Sequence, residues 1–331
     1  MNENMGKIKI AINGFGRIGR MFFRLSHLCD DIEVVVINDI SQINILSHLL
    51  KYDSVHGQFN AKVSYRKDHL LVDDRSVFVI NESEVSKIDW KSFDIDVVIE
   101  ATGKIKKKKD LEKHLYSGAK KVILTSPSHS DDIKTIVLGV NDMILSDSDI
   151  IVSNASCTTN SAAPLIKIIN DNWSIESAYV TTIHSFTTDQ NLHDSDHIDF
   201  RRARSAMSSI IPTTTGAAKA LTKIFPDLHN KIGGCGIRVP VLNGSLTDIT
   251  CIVKEDASIE QVNNIFKFTE NQYLTFTDKP LVSVDIIGNP YSSIVDLELT
   301  SVVGKMIKVV AWYDNESGYS NRLIDLIRKI T

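Results

Sequence analysis

The stretch SNASCTTN, Ser153 to Asn160, sets one cysteine among hydroxyls and amides, between an apolar run and a segment with helical spacing. Ser156 is of a type that caps helices, which would put Cys157 in a first helical turn. Unpaired N–H groups and the helix dipole favour an anion there, and the thiolate is the nucleophilic form of cysteine. A thiol nucleophile needs a base. Of the ten histidines, His184, closing the strand-like TTIHS, is the best placed, although spacing alone does not pair the two. Cys29 and Cys251 lie in apolar stretches and read as small buried hydrophobes, and Cys235 in GGCG reads as structural. No C-x-x-C occurs, so neither a disulfide framework nor a zinc site is expected.

A second pattern lies near the start. In GFGRIG, Gly14 would allow a tight turn, Gly16 would let backbone approach a pyrophosphate, and Gly19 would let a helix pack on its strand. The run follows a strand-like KIKIAIN and opens a helical IGRMFFRLSHL. Asp39 closes the next strand, EVVVIN, where a carboxylate can accept from a ribose 2′-hydroxyl and repels a 2′-phosphate. That points to NAD rather than NADP.

These sites require a scaffold. Further strand-like runs at DVVIEATG, KKVILTSP, TIVLGVN and DIIVSN, separated by polar or helical stretches, predict a Rossmann-type, doubly wound parallel sheet for residues 1–153. Beyond it, a helix from about Ser156 and longer alternating strands (SAYVTTIHS, LTDITCIVKE, SIVDLELT, MIKVVAWYD) predict an α+β catalytic domain over 154–317 with a mostly antiparallel sheet. An amphipathic closing helix, 318–331, would pack back on the first domain. Between these, TTDQNLHDSDHIDFRRARS is a long polar segment without a regular period, of the kind that is usually functional.

The 331 residues suit two domains, and a composition 43% hydrophobic and 24% charged with net charge −4 gives no reason to expect a nucleic-acid partner. MNENMGKIKI lacks the apolar stretch of a signal peptide, and no run is long enough to span a membrane, so the cytoplasm is expected. The four lysines 106–109 read as a solvated first helical turn rather than an RNA site.

INGFGRIGR, HLLKYDSVHG, SNASCTTN, TTIHSFTTDQ, RRARSAMSSIIPTTTGAAKAL, IRVP and WYDNESGYSNR, in that order, resemble the phosphorylating glyceraldehyde-3-phosphate dehydrogenase family over nearly the whole chain. The resemblance implies that Cys157 attacks an aldehyde to give a hemithioacetal and then a thioester, with His184 as base. It implies inorganic phosphate at Ser156, Thr158, Thr215 and Gly216. The phosphate of glyceraldehyde 3-phosphate would lie at Thr187, Arg238 and Arg202, with Arg201 and Arg204 as alternatives to Arg202. NAD would meet Gly14, Gly16, Arg17, Ile18, Gly19, Asp39, Gly103, Thr125, Asn315 and Tyr319. A homotetramer follows from the same resemblance, and His193 and His197 with their neighbouring aspartates then belong to a subunit-contact loop rather than a metal site. Erythrose-4-phosphate dehydrogenase, or an NAD-binding protein without catalysis, are the rival readings; TTTGAAKA favours the phosphorylating enzymes.

The chain departs from the family pattern at four places. Ser161 stands where many relatives carry a second cysteine. Ser195 and Asp196 replace a Leu-Pro, Ser83 replaces a cationic residue, and VPVLNGS replaces VPTPNVS.

Overall fold

The computed structural model describes residues 6–331. Residues 1–5, part of the stretch read for a leader, lie outside the described residues. The chain divides into two compact units, one of 6–136, 143–155 and 320–331, the other of 137–142 and 156–319.

The first unit contains β1 (Ile8–Asn13), α1 (Arg17–Ser26), β2 (Ile32–Asn38), α2 (Ile43–Lys51), β3 (Val63–Arg66), β4 (His69–Val72), β5 (Arg75–Ile80), β6 (Val97–Glu100), α3 (Lys108–Tyr116), β7 (Lys121–Leu124), β8 (Lys134–Thr135) and β9 (Ile151–Ser153). Their order is β3-β4-β5-β2-β1-β6-β7-β9-β8, parallel from β5 onward. Chain order reverses between β1 and β6, which opens the crevice at the strand C-termini where doubly wound sheets bind ligands. Fully buried Ala11, Val36, Trp90, Ile95, Val98, Leu111 and Val122 form a core cluster of this unit. Residues 320–331 belong to it as well: buried Leu323, Leu326 and Ile327 line that segment, and Arg328 grips Asp31 at 2.7 and 2.9 Å.

Two sequence expectations change here. Of TIVLGVN only Thr135 lies in a strand, the two-residue β8, and 137–142 group with the second unit. Gly139 there packs so closely on Tyr273 that an added Cβ would lie 2.8 Å from the ring. The antiparallel edge β3-β4 was also not anticipated. Its turns use Lys67 and Asp73 in the left-handed region, without the glycines that usually flag a hairpin.

The second unit follows with α4 (Cys157–Trp173), β10 (Ile175–Ser185), β11 (Ile211–Thr213), α5 (Ala217–Ile224), β12 (Ile232–Val239), β13 (Ser245–Val253), α6 (Ile259–Phe268), β14 (Leu274–Thr277), β15 (Ser293–Asp296), β16 (Ser301–Val303) and β17 (Met306–Tyr313). Helix α7 (Ser317–Ile330) starts in it. The sheet runs β11-β12-β10-β13-β17-β15-β14, with β16 beside β17. It is mostly antiparallel, but β10 pairs with β12, and β14 with β15, in parallel. α4 packs on β10, β13 and β17 through fully buried Leu165, Ile166 and Ile169, so its first turn is held against the strands that carry the other candidate groups.

Candidate active site

In the second unit, Ser156 caps α4 with extended backbone, its Oγ accepting from Thr159 N at 3.1 Å. Cys157 is therefore the first helical residue, reached through Ala155 at φ +55, an uncommon conformation for a residue with a Cβ. Its Sγ lies 3.4 Å from His184 Nε2. His184 Nδ1 is 2.7 Å from the carbonyl of Ser185. A carbonyl only accepts, so the ring proton belongs on Nδ1 and the Nε2 lone pair faces the sulfur.

Arg238 stands beside them because the parallel pairing of β10 with β12 makes His184 and Arg238 partners in register. Its Nη1 donates to Ser185 O (3.0 Å) and Thr187 Oγ1 (3.2 Å) and lies 3.2 Å from His184 Nδ1. Burial holds the His184 imidazole neutral, down to about 3, and the positive charge of Arg238, with a smaller share from Arg202, acts in the same direction. Burial also pushes the Cys157 thiol up, against the pull of Arg238 and the Thr158 N–H. Burial therefore works against the thiolate that the helix end and Arg238 favour, and Nε2 stands where it can take the thiol proton.

Three further groups set this geometry. Tyr313 OH sits 3.0 Å from Thr158 Oγ1 and 2.9 Å from Thr182 Oγ1, joining α4 to β10, and its ring meets His184 edge-on at 6.0 Å. Thr158 is thereby buried with its hydroxyl occupied. Asn315 Oδ1 accepts from both Ser185 Oγ (2.9 Å) and Ser245 Oγ (2.8 Å). Tyr319 is buried.

Among the three arginines of RRAR, Arg202 is the one that is half-buried. It bonds Asp189 (Nη1 to Oδ2, 2.5 Å) and Thr213 Oγ1 (3.0 Å), whereas Arg204 is exposed and pairs with Asp194, and Arg201 is exposed. Thr215 Oγ1 accepts from Ala217 N at the start of α5, and Gly216 is that helix's N-cap, where an added Cβ would meet no atom within 4 Å. Tyr313 and Asp189 were missed from sequence. Both lie inside quoted motifs, WYDNE and TTDQ, but nothing local marks a tyrosine or aspartate as a partner of residues far along the chain.

The departures find plain accounts. Ser161 bonds Thr247 Oγ1 in the core at 3.0 Å. Gly244 has φ +83 with Ser283 O where a Cβ would stand, so the glycine of VPVLNGS is required. The carbonyls of Ser195 and Asp196 are held by Asn191 Nδ2, and Ser83 is exposed. Among the described residues no group of three His, Cys, Asp or Glu is placed to hold a metal ion; His197 Nδ1 accepts from Asp199 N. Lys108 of the lysine run pairs with Asp132 at 2.6 Å. Cys29 is only partly buried, unlike Cys251, whose burial pushes its thiol up to about 12.

In the first unit, Gly14 has φ +96 and an added Cβ would lie 2.6 Å from Thr102 N; at Gly19 it would lie 2.3 Å from Gly14 O. Gly16 is the N-cap of α1, without a side-chain cap and with open space where a Cβ would go. Uncapped N–H groups and room for a close approach fit a pyrophosphate. Asp39 accepts from Phe15 N (2.7 Å) and Ser41 N (2.8 Å). The Arg17 side chain is committed to Asp53 at 2.7 and 3.2 Å. Burial alone would raise the Asp53 carboxyl, but the N–H groups of His56 and Val55 and the Arg17 guanidinium hold it at about 2. Gly103 has φ +71 beyond the end of β6, and Thr125 Oγ1 donates to Glu100 O at 3.0 Å.

One stability consequence follows from His184. Its folded value near 3 lies below the ordinary 6.5, so between those values the unfolded chain binds a proton that the native chain does not. Stability from this group is present above pH 6.5 and is lost as pH falls toward 3, by on the order of a few kcal/mol. Urea unfolding at pH 7 and pH 5 should show a steeper loss for the wild type than for His184→Asn; equal slopes would reject the assignment.

Residues 8–108 match the NAD binding domain, and residues 156–315 the C-terminal domain, of glyceraldehyde 3-phosphate dehydrogenase. NAD is accordingly the cofactor of the first unit. The chain is 47% identical over 330 residues to glyceraldehyde-3-phosphate dehydrogenase 2 of Bacillus subtilis, covering 98% of this chain and 97% of that one. The Geobacillus stearothermophilus enzyme of that name is 45% identical, covering 96% and 97%, and the Thermotoga maritima enzyme is 47% identical, covering 96% and 98%. With both domains matched and identity sustained over almost its full length, the chain belongs to the glyceraldehyde 3-phosphate dehydrogenase family.

Proposed function

We propose that the chain oxidises glyceraldehyde 3-phosphate to 1,3-bisphosphoglycerate, with NAD and inorganic phosphate. The observation that carries this reading, beyond the family, is the 3.4 Å approach of the Cys157 sulfur to a buried, neutral His184 imidazole at a helix start.

The residues divide the work as follows. His184 Nε2 takes the thiol proton as Cys157 Sγ bonds to the aldehyde carbon and returns it to the former carbonyl oxygen, giving a hemithioacetal and a neutral imidazole again. His184 then takes the hemithioacetal hydroxyl proton as the carbon loses hydride, and a thioester remains on Cys157. NAD, when bound, supplies the hydride acceptor. Gly14, Gly16 and the backbone of Arg17 and Ile18, followed by Gly19, would hold its pyrophosphate, with Asp39 on a ribose. Gly103, Thr125, Asn315 and Tyr319 would serve its nicotinamide end. An oxygen of inorganic phosphate attacks the thioester carbon, the C–S bond breaks, the departing sulfur takes back the proton held on His184 Nε2, and an acyl phosphate leaves. Ser156, Thr158, Thr215 and Gly216 serve that anion, and Thr187, Arg202 and Arg238 serve the substrate phosphate, for which the planar guanidinium fork is suited.

A homotetramer is part of the same reading. Ile198 and Phe200, 98% and 89% exposed on the long loop, support its being covered by another copy of the chain. Four unpaired cysteines suit a reducing compartment, and we place the chain in the cytoplasm. Among the described residues no helix is long and apolar enough to cross a membrane.

The test is the initial rate of NADH formation with glyceraldehyde 3-phosphate, with and without inorganic phosphate, beside erythrose 4-phosphate. Strong phosphate dependence with the triose is expected; a phosphate-independent rate favouring the tetrose would move the assignment to erythrose-4-phosphate dehydrogenase. Arg202→Ala should raise KM for the triose phosphate by roughly 10- to 100-fold, since it removes a charge-assisted phosphate contact. Arg201→Ala and Arg204→Ala should change it little, and the reverse ranking would transfer the role.

A further inference from the structure

Behind the nucleotide turns of the first unit lies a chain of buried polar groups that the chemistry above leaves unused. Glu100, the last residue of β6, is fully buried. Its Oε2 accepts from Asn13 Nδ2 (2.6 Å) and pairs with His114 Nε2 (3.0 Å); its Oε1 accepts from Thr102 N (2.9 Å) and Thr102 Oγ1 (2.5 Å). Trp90 Nε1 donates to His114 Nδ1 at 3.0 Å, so the ring proton of His114 is on Nε2 and points at the carboxylate. Every neighbour of Glu100 is therefore a donor.

On the other side, Asn38 Nδ2 donates to Asn13 Oδ1 (2.7 Å) and Glu82 O (2.9 Å), and Glu82 N donates to Asn38 Oδ1 (3.0 Å). Asn38, Asn13 and Glu100 are partners in register across β2, β1 and β6, and each is the last residue of its strand. They immediately precede Asp39, Gly14 and the turn through Thr102 to Gly103. The Gly14 turn itself rests on the Thr102 backbone.

An amide can be turned end for end, whereas a carboxylate only accepts. Glu100 thus fixes which way Asn13 points, Asn13 fixes Asn38, and Asn38 fixes the backbone of Glu82. Its other oxygen fixes Thr102. We propose that Glu100 is a positioning residue for the cofactor: its acceptor-only carboxylate sets the direction of this relay and so holds three strand-end turns in the one arrangement that receives NAD. The inference rests on the reading that these turns hold NAD.

The test is NAD affinity of the full-length protein by titration calorimetry, with Cys157 alkylation by iodoacetamide and thermal unfolding run beside it. Glu100→Gln keeps the shape but turns an NH2 on donors, and Asn13→Asp sets two carboxylates face to face. Each is expected to raise the Kd for NAD by at least about tenfold, because buried donors or acceptors lose their partners, while the alkylation rate stays within about twofold. The double variant moves the carboxylate one step along the relay, so the amide introduced by Glu100→Gln and that of Asn38 can both donate to the new carboxylate between them, and the conflict that remains is with the His114 N–H. It should bind NAD at least about fivefold more tightly than either single variant, a non-additivity that a merely structural loss would not give. Single variants with wild-type affinity, or losses that multiply in the double, overturn the proposal. If the Glu100 variant does not fold, Thr102→Val removes one donor at nearly constant volume and should weaken NAD by roughly 3- to 10-fold; an unchanged Kd overturns the proposal. Wild-type affinity is measured first: no binding there would defeat the cofactor reading and this proposal together, while binding unaltered by the variants would defeat this proposal alone.

Discussion

Cys157→Ser is expected to lower NADH formation from glyceraldehyde 3-phosphate by at least about 10⁴-fold, because a hydroxyl yields its proton far less readily than a thiol and makes a poorer leaving group from the acyl intermediate. The local structure should persist. Ser156, not Cys157, supplies the helix cap, and the sulfur lies 3.4 Å from His184 Nε2. NAD affinity should also persist, since the glycine turn and Asp39 belong to the first unit. Stopped-flow absorbance at 340 nm and NAD titration of the same preparation decide it. Turnover within tenfold of wild type, with NAD binding intact, would remove Cys157 from the nucleophile role.

His184→Asn should lower kcat by roughly 10²- to 10⁴-fold, the usual contribution of a positioned general base. Burial pushes the Cys157 thiol up, so without an acceptor at Nε2 its ionisation needs a more alkaline solution. The pH profile of Cys157 alkylation should therefore move to higher pH in the variant. In the wild type, a base held neutral down to about pH 3 keeps its lone pair across the working range. The loss of activity on acidification should then follow other groups or unfolding rather than protonation of His184. An alkylation profile unchanged by the substitution would show that Nε2 does not take the thiol proton.

Legibility from sequence varied from residue to residue in a way that tracks range. Gly14, Gly16 and Gly19 were readable because a strand, a turn and a helix start are set by neighbours a few residues apart. The Ser156 cap was readable for the same reason. The direction of the Cys157 shift was not, because the helix end acts locally whereas the desolvation that outweighs it comes from the whole packed unit. The three arginines of RRAR could not be separated in one dimension; in three, Arg202 is the one bonded to Asp189, 13 residues before it, while Arg201 and Arg204 are exposed.

What the sequence by itself determined, then, is the set of elements and the chemistry they carry: the nucleotide turn, the cysteine at its helix start, and the α/β character of both units. These depend on backbone sterics, capping and apolar periodicity, all short-range. Only the tertiary structure decided the partnerships. Cys157 meets His184 across 27 residues, Thr158 meets Tyr313 across 155, and Asn13 meets Glu100 across 87. Arg238 reaches the Ser185 carbonyl because β10 and β12 run parallel, a pairing that the sequence pattern did not specify. Strand pairing is selected by the packing of whole faces against α4 and the core, a sum over distant residues that no local window contains, and the protonation of the buried groups follows from that packing.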